Sequence, residues 1–398
     1  MIFNREKKTL EKISENKDII YFVVISIALL IVRLSMFRFW SGDYVQFLRP
    51  WYDKISQLGG LSALRKQVGN YAIPYQFFIA LCTYIPVKSL YLYKLFSVFF
   101  DYLLAFYAAK LAKLIFPKLS FLMVYSAVLA LPTVIFNSAT WAQADSIYSA
   151  FAVIALYELI QRKYLFAFIF WGIAFAFKLQ AVFILPLFVL VYVVRKDFSI
   201  LYFLISLLSF YACNLPGFLY GRSLLAPIKV YLSQAGNYPK LDLNYPNFTV
   251  LTAINPTPTT MAEYNMLHSF LLLFALVVII IGYMFVLQKF ENNMGDEKIL
   301  QLAIWTFWTC IMFMPSMHER YGYVIDVLLV ILSAGDRRVF PIAVISIMNS
   351  LIAYCYYLFN IPYNQYFASY VIIAAYAIFS FYVVFSSDAR VTKIGKKK

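Results

Sequence analysis

Few residues of this 398-residue chain can carry charge, and those that could do chemistry fall in four short segments. Ser41-Gly42-Asp43-Tyr44 follows the first long apolar run, so the Asp43 carboxylate stands where it could take a proton from a hydroxyl or simply face solvent. Trp141-Ala142-Gln143-Ala144-Asp145 sets a ring, an amide and a second carboxylate between two apolar runs. An acid at such a boundary is either a helix cap or a functional group. Lys178-Leu179-Gln180 places a cation at another boundary, where it needs either an anionic ligand or a partner such as Asp145. Met317-His318-Glu319-Arg320-Tyr321 gathers an imidazole, an acid and a guanidinium. Arg320 could grip phosphate oxygens through paired hydrogen bonds, or pair internally with Glu319. Asp53 beside Lys54 reads as a solvated pair.

The elements that must position these groups are membrane helices. Residues are 63% apolar and 13% charged, far from the roughly even balance of a water-soluble domain. Runs such as Ile19 to Met36, Leu267 to Val286 and Phe340 to Leu358 approach the ~20 residues needed to cross a bilayer. The pattern predicts an all-α integral membrane protein with about twelve spans, near 19–36, 94–115, 119–136, 146–160, 164–177, 180–194, 198–214, 267–288, 299–316, 322–334, 340–358 and 366–386. The net charge of +15 does not mark a nucleic-acid binder, because the cations are dispersed between apolar runs. Arg5, Lys7 and Lys8, then Lys110, Lys113 and Lys118, Arg162-Lys163, Arg195-Lys196, Arg337-Arg338 and Lys396 to Lys398 instead mark cytoplasmic breaks. Both termini are then cytoplasmic, and all four chemical segments face the other side. The first span lacks a cleavage pattern and reads as a retained anchor.

Four dispersed cysteines and two histidines, His268 and His318, offer no metal-ligand spacing and no disulfide framework. No cofactor is expected. The chain reads as one polytopic domain, 1–398, without a detectable internal repeat. Two outward connections are long, 37–93 and 215–266, and long loops tend to carry function. The first contains Pro74 to Tyr84, apolar but too short to span, expected as an interfacial helix lying on the membrane. The second, with Asn237-Tyr238-Pro239, Asn244 to Asn247 and Asn255 to Pro258, is expected to be irregular and partly mobile.

The order of Asp43, Tyr71-Ala72-Ile73-Pro74-Tyr75, Gln143 with Asp145, Lys178-Leu179-Gln180 and His318-Glu319-Arg320 resembles the GT-C glycosyltransferases. It is most similar to the mannosyltransferase family that adds the second mannose of GPI anchors, and to the endoplasmic-reticulum glucosyltransferases of N-glycan assembly. The resemblance extends to about Tyr323 and is weak over the last two spans. It implies a polyprenyl-phosphate sugar donor, a glycan or lipid-linked acceptor, inversion at the anomeric carbon and a catalytic acid in the first outer loop, which is Asp43 here. It assigns Gln143, Asp145, Lys178, Gln180, His318, Glu319, Arg320 and Tyr321 to donor binding. Where the glucosyltransferases have His-Glu-Lys, this chain has Arg320 followed by Tyr321, which leaves the sugar open between mannose-like and glucose-like hexoses. Lysine-rich ends and short loops would suit a bacterial cell-surface enzyme.

That assignment agrees with the chemistry. A lipid phosphate is already a good leaving group, so one base can suffice if cations stabilise the departing charge. Glycoside hydrolases instead flank the bond with two carboxylates. The rival expectation is a transporter or flippase of lipid-linked saccharides, which would place polar residues near the membrane midplane and use broken helices. Asp101 and Asp326 are the acids that could serve it.

Overall fold

The computed structural model describes residues 15–237, 240–251, 260–290 and 294–385. The terminal cations Arg5, Lys7, Lys8 and Lys396 to Lys398, and Tyr238-Pro239 and Asn255 to Pro258 of the second long loop, lie outside them. The described chain is helical, apart from a pair of two-residue strands. Its first half holds α1 (Lys17–Ser35), α2 (Arg49–Gln57), α3 (Ile73–Cys82), α4 (Ser89–Ile115), α5 (Phe121–Leu129), α6 (Pro132–Ile135), α7 (Asp145–Ile160), α8 (Tyr164–Phe177) and α9 (Leu185–Arg195). The second half holds α10 (Tyr202–Cys213), α11 (Leu215–Leu219), α12 (Ala226–Asn237), α13 (Phe248–Leu251), α14 (Met261–Phe290), α15 (Asp296–Phe313), α16 (Tyr323–Gly335), α17 (Phe340–Phe359) and α18 (Gln365–Phe385). The strands are β1 (Asp242–Leu243) and β2 (Met317–His318).

Five helices are long and apolar enough to cross a membrane: α1, α4, α14, α17 with the turn before it, and α18. The pair formed by α5 and Pro132–Thr140 makes a sixth if its 53° bend lies within one span. The other expected segments are helical but shorter or more polar. Burial explains this for α7 and α15, which are buried nearly all round and need not match the lipid, whereas α10 is short with only Ser206 and Phe210 buried. The outer helices behave oppositely. Along α1, α14 and α18, residues such as Ile31, Phe270 and Phe381 are more than half exposed, an apolar surface suited to lipid and not to water.

The expected span over 119–136 breaks instead, because Pro132 has no N–H to continue the ladder. Freed backbone groups inside a membrane protein must find partners. Arg33 supplies one: Nη2 donates to the Leu129 carbonyl at 2.8 Å, while Nε meets Asp101 Oδ2 at 2.9 Å. Ser138 Oγ donates to the same carboxylate oxygen from the π-helical stretch Phe136–Thr140. The buried Arg33–Asp101 pair thus fixes the bend and the segment that leads to Asp145. A second buried cation, Lys94, gives its three protons to the carbonyls of Met36, Phe37 and Phe39 at 3.1, 3.1 and 2.7 Å. It caps the end of α1 just before Asp43.

The first long loop ends at Lys88, five residues before the expected boundary, because α4 begins at Ser89. Its helix α3 forms where Pro74 to Tyr84 was expected to be helical, and seven of its 10 residues are buried, Ile73, Tyr75, Ile79 and Ala80 among them. Arg222, from the second long loop, holds it in place. Its guanidinium donates to the carbonyls of Leu64 and Lys66 and to the side chains of Gln67 and Gln76. The described part of that second loop is more ordered than its Asn and Pro content suggests, with α11, α12, β1 and α13 inside it. β1 runs parallel to β2 with Asp242 opposite Met317 and Leu243 opposite His318.

The helices share two distinct ends. At one, Arg162 and Tyr164 bind Asp197, Arg195 approaches Asp296 at 3.5 Å, and Lys298 and Lys289 donate to the Val383 and Val384 carbonyls. The four chemical segments meet at the other, about 24 Å away along the 16 residues of α7.

Candidate functional site

Four segments scattered over 278 positions of sequence, 43 to 320, converge on one guanidinium. Arg320 lies with Nε 3.4 Å from Asp145 Oδ2, and with Nη1 2.9 Å from Glu319 Oε1 and 3.9 Å from Asp43 Oδ2. Its plane also rests near the rings of Trp141 and Tyr321, at 5.5 and 5.9 Å from their centroids. Although burial opposes the charge, Glu319, Asp145 and Asp43 hold the guanidinium well above its ordinary value. Burial likewise works against the Glu319 carboxylate, yet His318 and Arg320 keep it below the usual range. His318 Nδ1 is 3.6 Å from Glu319 Oε2, and its ring stands against Tyr321.

Asp43 follows the end of α1 and opens the π-helical stretch Tyr44–Leu48. Ser41 Oγ ties the turn to the Trp141 carbonyl at 2.8 Å. Oδ2 of Asp43 accepts from Trp141 Nε1 at 2.9 Å and from Gln143 Nε2, while Oδ1 accepts from the Tyr357 hydroxyl. Tyr71 donates to Gln143 Oε1 at 2.7 Å, which fixes the orientation of that amide. Burial raises the Tyr71 phenol above its ordinary value, so it remains a donor.

Asp145 sits at the first turn of α7, fully buried. Its Oδ1 accepts from Lys178 and its Oδ2 from Asn137 Nδ2 at 2.9 Å. Lys178, at the end of α8, also lies over the rings of Tyr148 and Tyr321 at 5.4 and 5.3 Å. Both internal pairings open to the sequence, Lys178 with Asp145 and Arg320 with Glu319, are therefore present. Three carboxylates surround two cations, and an added phosphate would have to compete for cations already engaged.

Local backbone holds this arrangement under tension. Of the six non-glycine residues with positive φ among the described residues, Ala142 (65°), Asn244 (69°) and Ser316 (62°) adjoin the site. Such conformations cost about 1–3 kcal/mol each and persist where surroundings impose them. The two π-helical stretches border it as well, a geometry common at functional positions. The second long loop braces the cluster: Glu319 N donates to the Leu243 carbonyl at 3.1 Å and Ser316 N to that of Leu241 at 2.8 Å.

Asp43, Gln143, Asp145, Lys178, His318, Glu319, Arg320 and Tyr321 are thus brought together. Gln180 is not part of the hydrogen-bonded cluster. It lies in the 3-10 turn Leu179–Ile184, its amide oxygen buried without a hydrogen-bond partner. Asp53 pairs across one helical turn with Arg49 at 3.8 Å, and not with Lys54. Trp141 is fully buried, its indole donating to Asp43. Tyr357 and Asn137 escaped sequence reasoning. In a chain with 33 tyrosines no single one stands out, and Asn137 lies inside an apolar run.

Among the described residues no three His, Cys, Asp or Glu side chains gather as a metal site would require. Compared with known proteins, the chain matches no family model and none of the curated sequences.

Proposed function

We propose that this chain is an inverting, membrane-embedded glycosyltransferase of GT-C type, moving one hexose from a polyprenyl phosphate to a glycan or lipid-linked acceptor on the non-cytoplasmic side. The observation that carries this reading is the convergence of Asp43, Gln143, Asp145, Lys178 and His318-Glu319-Arg320 at one end of the helices, opposite the basic connections. By the positive-inside tendency the basic end is cytoplasmic. The bundle is then about twelve helices, with α3 at the outer interface. In the reaction the acceptor hydroxyl attacks the anomeric carbon from the face opposite the phosphate. Its O–H bond breaks toward Asp43, and the carbon–oxygen bond to phosphate breaks with the electron pair leaving on the lipid phosphate. Arg320 and Lys178 loosen from their carboxylates to receive that charge, so the site itself supplies its counter-ions.

A flippase reading would draw on the bend after α5 and on the buried Arg33–Asp101 pair. The two are linked, because Arg33 donates to the Leu129 carbonyl at the bend and, with Ser138, to the Asp101 carboxylate. The deciding experiment reconstitutes the purified protein in liposomes with radiolabelled polyprenyl-phosphate mannose or glucose and a crude glycan acceptor. Label in the acceptor with release of polyprenyl phosphate is expected. Movement of intact donor across the bilayer with no bond cleavage would instead favour the flippase and remove the enzyme reading.

A further inference from the structure

We propose that Tyr357 is a positioning residue for proton transfer at Asp43, its hydroxyl turning from donor to acceptor as Oδ1 takes up the proton. This rests on the glycosyl-transfer reading and adds to it the oxygen that acts as base and the group that answers it. Asp43 has four polar neighbours, and three of them can only donate: the Trp141 indole, the Gln143 amide nitrogen and the Arg320 guanidinium. The amide is held with its oxygen toward Tyr71, which donates to it, and its nitrogen toward Asp43. All three address Oδ2, which therefore stays an acceptor throughout. Oδ1 has the Tyr357 hydroxyl, the only one of the four able to accept as well as donate.

The placement of Tyr357 suits that role. Its ring stacks on Trp141 with centroids 4.7 Å apart and planes 22° from parallel, so two of the donors to Asp43 pack against each other. Asn360, in left-handed backbone, ends α17 three residues later and fixes the last turn. Tyr357 is half-buried whereas Asp43 is buried. Gly42, the residue before Asp43, is exposed, and a side chain there would meet no atom within 4 Å. When that hydroxyl attacks, its proton passes to Oδ1, its oxygen bonds the anomeric carbon, and the lipid phosphate leaves with the carbon–oxygen electron pair. The new Oδ1–H then donates to Tyr357, whose own proton rotates away.

The test compares wild type, Tyr357→Phe and Asp43→Asn in the liposome assay, with rates taken across pH and with thermal melts as a fold control. Tyr357→Phe keeps the stack and loses the hydroxyl. It is expected to lower kcat about ten- to a hundred-fold, the range of one hydrogen bond to a charged group, with KM for donor and acceptor within about two-fold. The acid limb of its rate profile should move to higher pH, because the carboxylate has lost a donor. If Tyr357→Phe folds poorly, 3-fluorotyrosine at position 357 gives a stronger donor, and the acid limb should then move to lower pH. Wild-type kcat and an unmoved acid limb in these variants, beside an inactive Asp43→Asn, would overturn the role of Tyr357 and leave the enzyme reading standing. Absence of transfer by the wild type would remove both.

Discussion

Asp43 and Asp145 touch the same guanidinium but are bound in different ways, and their variants should differ accordingly. The hydrogen bonds of Asp43 come from three neutral donors, with the Arg320 guanidinium 3.9 Å away, and Asp43→Asn exchanges one acceptor oxygen for an NH2 at almost constant size. It should abolish transfer, by more than about a hundred-fold, while thermal stability and donor binding remain near wild type. Near-normal turnover would pass the role of base to Asp145 or Glu319. Arg320→Ala strips counter-charge from three buried carboxylates and should cost about 3–5 kcal/mol of stability in detergent melts, besides weakening donor binding. Arg320→Lys should recover only part, because an ammonium cannot address several carboxylates in one plane. A pH effect follows from Asp242 in β1, whose carboxyl burial raises from 3.8 to about 6. A raised carboxyl contributes stability below its unfolded value and loses it as pH climbs through the folded one. Melting temperature should therefore fall between about pH 4 and 6, and Asp242→Asn should flatten that slope. The charged members of the cluster could be read from sequence because charge is rare in this chain. Tyr357, Asn137 and the burial of Trp141 could not: Tyr357 is one of 33 tyrosines and meets Asp43 across 314 positions, Asn137 lies inside an apolar run, and Trp141 meets Asp43 across 98 positions.

Helices α1, α4 and α5 meet through polar contacts inside the bundle, and these set where the site's loops begin. Arg33→Met or Asp101→Asn should each destabilise by about 3–5 kcal/mol, since either leaves its partner buried and unpaired. The double variant Arg33→Met with Asp101→Leu should be milder than the sum, which a double-mutant cycle of melts would reveal. Strict additivity would mean that the pair does not act as a unit. The apolar runs made most helices legible. The bend after α5 was missed although Pro132 announced it, because hydropathy alone runs smoothly through Ala130-Leu131-Pro132. The end of the first loop was misplaced because Ser89 to Tyr93 is too polar to look like a span, yet it is helical once Ser89 and Tyr93 are buried.

For the molecule as a whole, sidedness and metal use are the properties that the helix ends decide. Single cysteines at the exposed positions Lys54 and Lys163, in a background without the four native thiols, should respond oppositely to an impermeant maleimide on intact cells. Position 54 should label at once and position 163 only after permeabilisation. The reverse pattern would invert the topology and set the site inside. Transfer should also survive EDTA, because Arg320 stands between Asp43 and Asp145 where a bridging divalent ion would have to sit. A strict need for manganese or magnesium would mean that the two acids exchange the guanidinium for an ion.

The wide sequence separation of the cluster also bears on how the protein is made. Asp43, Gln143, Asp145 and Lys178 all leave the ribosome well before Arg320 and Tyr357 exist. Until α15 to α17 are inserted, the early helices hold acids whose last counter-charge is still missing, so the nascent bundle cannot close. A chain cut short before residue 320 would carry that defect permanently, and membrane quality-control proteases should clear it faster than one cut within the last helix.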